Sequence, residues 1–259
     1  MSTLDKIIFN DTEYAIGGGG SVGGFRDSAY LFKLKNLNCQ GICTDGEYIY
    51  SGTGTTVYKY NILTKAETSA TFDSGYYGSN NGMTYNPNDG YIYTATSTSG
   101  KGVGVIKASD LTHVQFIDVK DGNNNSLAPT QIAYDRKNNR YILGISANYY
   151  VYDDEFNYVR SFSSTHGGTH QDLETDGTYI YKCRSGVSGR GIIAVIDMTG
   201  EIVKNIDVTG NELEGLAYDW NGSWYCDTKN SQGLYFTNFV EPYPIETVAQ
   251  LAKIVKAYS

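Results

Sequence analysis

His166 and His170 lie four residues apart in THGGTHQDLETDG (165–177), and Asp172, Glu174 and Asp176 follow at once. A second acidic pair, Glu212 and Glu214, sits in VTGNELEG (208–215). Side chains of these types can ligate a metal or move protons. A histidine pair at this spacing holds zinc when a helix turns both imidazoles to one side. Gly167 and Gly168 work against that helix, and His113, the third histidine, belongs to a distant segment. Neither a metal site nor a cofactor is expected. Carboxylates in pairs suit glycoside hydrolysis, which takes one acid and one base or nucleophile. Asp172, Glu212 and Glu214 are the catalytic candidates for it. Nucleophilic hydrolysis has less support, because no GxSxG occurs.

Whether these groups meet depends on the elements that carry them. Five segments share one design: TDGEYIYSG (44–52), NDGYIYTAT (88–96), KNNRYILGI (137–145), TDGTYIYKC (175–183) and WNGSWYCDT (220–228). Each is a turn pair followed by an alternating apolar run. Asp-Gly and Asn-Gly there read as hairpin turns of type I′, which need positive φ at both central residues. A strand precedes each turn and ends at Asp45, Asn86, Asp135, Asp176 or Asp219, in steps of 41, 49, 41 and 43 residues. A third strand follows each hairpin and a fourth follows four of them. Four strands at a period of roughly 40–50 residues is the signature of propeller blades, each of which covers its neighbour's exposed sheet face.

The expected fold is therefore all-β: a five-bladed β-propeller of four-stranded blades over residues 30–240. The fifth blade lacks its fourth strand, and AYLFKLKNL (29–37) is expected to supply it and close the ring. Residues 1–29 read as a small hairpin, KIIFNDTEYAI, and a Gly-rich tether. Residues 241–259 read as a short amphipathic helix, with Pro244 at its start and Ile245, Val248, Leu251 or Ala252, and Val255 at helical spacing.

In such a ring the loops entering each first strand crowd one mouth of the channel. They are KNLNCQG (35–41), GYYGSNNG (75–82), DGNNNSLAPTQ (121–131), SSTHGGTHQD (163–172) and VTGNELEG (208–215). Their alignment puts Gln40, Asn81, Thr130, Gln171 and Glu214 at one ring position: a polar, mostly amide mouth with its acidic side where blades four and five meet. Glu174 and Asp176 fall toward the other end of the strand and are assigned to the hairpin rather than to chemistry. Function is placed on the entry loops, which the fold leaves free to vary. Tyrosine with Ser, Gly and Asn is the composition of adaptable recognition surfaces, and aromatic faces with amides suit sugar rings. The candidate ligand-binding residues are Tyr76, Tyr77, Asn80, Asn81 and Gln131, together with His170, Gln171, Asp172 and Glu214. Tyrosines at repeat positions, such as Tyr48, Tyr50, Tyr91 and Tyr93, are expected to pack between blades.

Bulk properties narrow the classes. A net charge of −8 without a Lys/Arg cluster argues against a nucleic-acid partner. No apolar stretch reaches spanning length, so membrane insertion is not expected. The start, MSTLDKIIFNDTEY, has no apolar leader core, and the four cysteines form no CxxC pair. Synthesis in a reducing cytoplasm with buried thiols is the expectation.

The segments ELEGLAYDWNGSWYCDT and TDGTYIYKC…IIAVIDMTGEIVKNI are similar to NHL- and YncE-like blades over nearly all of 38–240, a resemblance that implies fold. The opening KIIFNDTEYAIGGGG resembles amino-terminal attachment segments of phage tail and baseplate proteins. Five-bladed propellers occur among receptor-binding proteins of phages of Gram-positive bacteria, where they recognise wall teichoic acid sugars. That resemblance implies a virion component that binds cell-surface glycan or other virion proteins. The carboxy-terminal helix, marginal alone, is expected to dock on its own propeller or, as a homo-oligomer through the termini, on a neighbouring subunit. Three functions follow: a non-enzymatic recognition protein reading glycan at the entry-loop face, a glycoside hydrolase, and a purely structural assembly protein.

Overall fold

In the computed structural model the described residues are 6–9, 12–15, 28–35, 40–74, 77–78, 80–96, 102–165, 167–187, 190–208, 213–228 and 233–237. β1 (Lys6–Phe9) and β2 (Thr12–Ala15) pair as an antiparallel hairpin. The Gly-rich stretch and the carboxy-terminal helix expected from the sequence lie outside the described residues. Blade I contains β4 (Ile42–Thr44), β5 (Tyr48–Thr53), β6 (Thr56–Asn61) and β7 (Glu67–Thr71). Blade II contains β8 (Gly82–Asn86), β9 (Tyr91–Ala95), β10 (Val103–Lys107) and β11 (His113–Ile117). Blade III runs through β12 (Gln131–Asp135), β13 (Arg140–Ile145), β14 (Asn148–Asp153) and β15 (Tyr158–Ser163). Blade IV runs through β16 (Thr169–Thr175), β17 (Tyr179–Val187), β18 (Arg190–Asp197) and β19 (Ile202–Val208). Blade V joins β20 (Leu213–Tyr218), β21 (Trp224–Thr228) and β22 (Gly233–Thr237) to β3 (Ser28–Lys33). The order β20-β21-β22-β3 confirms that an amino-terminal strand closes the last blade, pairing Gly233 with Lys33 and Phe236 with Ala29.

The core is five clusters, one at each blade interface, because successive residues of a strand point to opposite faces. Ile42 faces blade V and packs with Ala217 and Tyr225, whereas its neighbour Cys43 faces blade II with Met83 and Ile92. Ile132 joins Val103 and Tyr93 of blade II, while Ala133 joins Leu173 and Ile180 of blade IV. Leu216 meets Cys183 and Val195 at the fourth interface. Cys43, Cys183 and Cys226 are buried free thiols within these clusters.

The repeated hairpins are tied by their turn acids. Asp45 accepts hydrogen bonds from the N–H groups of Glu47 and Tyr48 on one oxygen and from the Tyr50 hydroxyl on the other, the last at 2.6 Å. Asp176 repeats this with Thr178, Tyr179 and Tyr181, and Asp89 binds the Tyr93 hydroxyl at 2.6 Å. In blade III Arg140 takes the tyrosine's place on Asp135, at 2.7 Å. These turns are not of type I′. Gly46, Gly90, Asn139, Gly177 and Gly222, the second residue of each turn pair, have positive φ, and the Asp or Asn before each does not. The acid side chain takes up the turn N–H groups, so its own backbone has no need of the left-handed region.

Candidate functional site

The five first strands, β4, β8, β12, β16 and β20, converge on the axis at Gly41, Gly82, Gln131, Asp172 and Gly215. A Cβ on Gly82 would lie 2.5 Å from Gln131 Cα and 2.8 Å from Ile132 N, and one on Gly41 would lie 2.8 Å from Gly82 Cα. Gly215 is as tightly placed against the Gln40 carbonyl oxygen, at 2.8 Å. β8 and β16 also touch each other, although their blades are not neighbours in the ring. The inner strands are therefore crowded around the axis at this level. Of the residues expected at one ring position, Gln40, Asn81 and Thr130 are partly exposed, whereas Gln171 and Glu214 are buried.

Asp172 braces this level. Its Oδ1 accepts the Leu173 N–H at 2.9 Å, and its Oδ2 accepts those of Ile42 at 3.2 Å and Leu216 at 3.4 Å. One carboxylate thus ties the inner strands of blades IV, V and I. A bulge between His170 and Leu173 sets it there. Complete burial pushes its pKa well above the usual carboxylate range, against the three N–H donors. With its oxygens so committed, Asp172 is a brace of the ring, which corrects its assignment as a mouth residue free to meet a ligand or to act in a carboxylate pair.

Glu174 is also misassigned by the sequence reading. It belongs to the buried inner strand and not to the turn, and its pKa is pushed up to about 8 by burial. The Arg136 guanidinium lies beyond it, 5.9 Å from the Tyr85 ring and 5.7 Å from that of Trp220, and draws the value back down in part.

Tyr77 needs a further correction. Its ring lies in the interface of blades I and II, 4.6 Å from that of Phe72, over the gap left by Gly104. Its hydroxyl meets His113 Nδ1 at 2.6 Å and donates to the Val105 carbonyl at 3.3 Å. It is a core residue and presents nothing to the mouth. Asn80 is buried too, in the left-handed region at φ 47°, with its Nδ2 donating to the Gly54 carbonyl. Tyr76, His166 and Glu212 lie outside the described residues. His170 is half-buried at the head of β16, and the Gln171 amide donates to Ser185 Oγ at 3.1 Å. Among the described residues no cluster of His, Cys, Asp and Glu could hold a metal, and no helix is long and apolar enough to cross a membrane.

Two charged residues at the same level escaped the sequence reading. Asp227 of β21 is buried and accepts the Gly215 N–H at 2.5 Å. Lys182 of β17 is buried, with its ammonium bonded to Gln131 Oε1 and, at 2.9 Å, to the Ser146 carbonyl. Burial lowers its pKa to about 7, opposed by the attraction of Asp172. The signal for both lay in the repeats. Their eighth position reads Ser51, Ala95, Gly144, Lys182 and Asp227: small residues in three blades and a charge in two.

The architecture has a counterpart among solved structures. The crystal structure of Myxococcus xanthus glutaminyl cyclase superposes with a TM-score of 0.63 at 15% identity, over 81% of this chain and 94% of that one. The likeness is one of fold. A chain of a mitotic checkpoint complex aligns more distantly, with a TM-score of 0.45 at 10% identity over 77% of this chain and 63% of its own. The sequence matches no protein-family model and no curated protein.

Proposed function

We propose that this protein is a non-enzymatic recognition propeller that binds a cell-surface glycan at the entry-loop end, as a component of a phage tail. The observation that carries this reading is the set of partly exposed polar residues at the entry-loop end. Gln40, Asn81 and Thr130, partly exposed beside the crowded inner strands, offer the amides and the hydroxyl that sugar hydroxyls bond to. The commitment of Asp172 to three backbone N–H groups supports binding over hydrolysis, because it takes one carboxylate from the proposed catalytic set. The virion setting rests on the resemblance of residues 6–20 to tail attachment segments. A glycan array with the folded full chain tests the proposal: binding to a defined set of surface glycans is expected, and a blank array would overturn it.

An enzyme is the second reading. It is favoured by Lys182, a buried amine whose pKa lies near 7 at the channel end, with Glu214 and Asp227 on the same level. The structurally similar protein is described as a glutaminyl cyclase. Turnover of a polysaccharide, or of a peptide with an amino-terminal glutamine, that disappears in Glu214→Gln would replace the first reading with this one.

A further inference from the structure

Lys182 and Arg184 stand two apart on β17, so both side chains leave the same face of the strand, toward blade III. Both are buried, and among the described residues neither makes an ion pair. Their acceptors are all neutral. Lys182 bonds Gln131 Oε1 and the Ser146 carbonyl, whereas Arg184 Nε donates to the Gly167 carbonyl at 2.6 Å and its Nη1 to Asn205 Oδ1 at 3.3 Å. Two like charges buried side by side without a counter-ion are costly. Asp172, whose attraction Lys182 feels, has its oxygens on the backbone of three blades.

A separate observation points the same way. Gln131 turns its oxygen to Lys182, which leaves its Nε2 buried with no acceptor. Space for this pair comes from Gly144, where a Cβ would strike the Gln131 side chain and approach Leu173 Cδ2 to 2.9 Å. Lys182 has a third N–H beyond the two in use, and Arg184 has its Nη2. At the interface of blades III and IV an ammonium, a guanidinium and an amide thus present donors together, and the further neighbour of Lys182 Nζ among the described residues is the neutral Tyr149 ring, 5.2 Å away. Gly167, which receives Arg184, is exposed, so the guanidinium lies one residue from solvent.

From this donor set we infer an oxyanion subsite between blades III and IV, formed by Lys182, Arg184 and Gln131, which takes the carboxylate or phosphate of an acidic sugar unit. The inference rests on the reading of the entry-loop end as a glycan site and names the chemical class of one unit. In a chain of net charge −8 it provides a localised attraction for an anion that the molecule as a whole repels.

Titration calorimetry of the full chain with D-glucuronate, D-glucose 6-phosphate and D-glucose tests it. At least one acidic sugar is expected to bind ten-fold or more tightly than glucose. The better of the two tells carboxylate from phosphate. Lys182→Met and Arg184→Gln should each bring that ratio close to one, with Arg184→Lys retaining part of it. Should Lys182→Met fail to fold, Arg184→Gln, nearer the surface, decides alone. A wild-type ratio near one, with a neutral glycan still bound, overturns the oxyanion subsite and leaves the glycan reading standing. Survival of the ratio in both variants also overturns the subsite. Binding of no sugar and no glycan overturns both.

Discussion

Glu174 and Lys182 are buried groups whose pKa values move in opposite senses, so they leave opposite marks on stability. Glu174 is raised from 4.5 to about 8, so the folded state binds a proton that the unfolded state has lost between those values. Its contribution is full below pH 4.5 and is lost as pH climbs to 8. Lys182 is lowered from 10.5 to about 7, so its contribution is full above pH 10.5 and is lost as pH falls through 7. In urea unfolding, Glu174→Gln is expected to gain on the wild type by on the order of 3 kcal/mol between pH 5 and 8. Lys182→Met should lose ground to the wild type between pH 7 and 10. Parallel curves for wild type and variants would contradict both assignments. The sequence made the types of these residues plain, but not their surroundings. Glu174 reads as a turn acid because it stands two residues before Asp176, whereas the bulge after His170 sets the orientation of the whole inner strand.

At the scale of the strand, the controlling feature is the close approach of the inner strands. Gly82 has no Cβ because Gln131 Cα would be 2.5 Å from it. Since the obstacle is backbone, Gly82→Ala has no side chain to push aside and must spread blades II and III. A loss of about 1–3 kcal/mol or more is expected, read as a lower urea midpoint, whereas Gly46→Ala in an open turn should cost only its backbone strain. Equal, small losses at both sites would mean that the axis is looser than described. The strands, their order and the closing role of β3 were legible in the sequence, because the turn acid and the alternation recur in every blade. Tyr77 was not. Its Gly-rich, Asn-rich surroundings resemble a loop, and the partner that makes it core, Gly104, lies on the third strand of the same blade with nothing local to connect them. Lys182 was masked by the apolar run around it.

Across the whole molecule the ring has two different ends. One carries the Asp–Tyr locks of the hairpin turns, with Arg136 over aromatic rings. The other carries the polar entry-loop end and its buried charges. Closure of the ring depends on about six residues, β3, which cover the edge of β22 and complete the cluster around Phe32 and Leu234. Removal of residues 1–15 should leave the thermal transition in place, because the hairpin β1–β2 contributes no strand to a blade. Removal of residues 1–34 takes β3 away, and the chain is expected to aggregate or to lose its cooperative transition in circular dichroism. A cooperative transition retained without β3 would show that the ring needs no closing strand.

The measurement that bears most directly on function compares the two ends in one assay: binding of full-length protein to its best array glycan, for wild type, Asn81→Ala, Gln131→Ala and Arg136→Ala. The account predicts at least ten-fold weaker binding for both entry-loop-end variants and wild-type affinity for Arg136→Ala at the opposite end. Loss of binding in Arg136→Ala, with Asn81→Ala and Gln131→Ala unaffected, would contradict it.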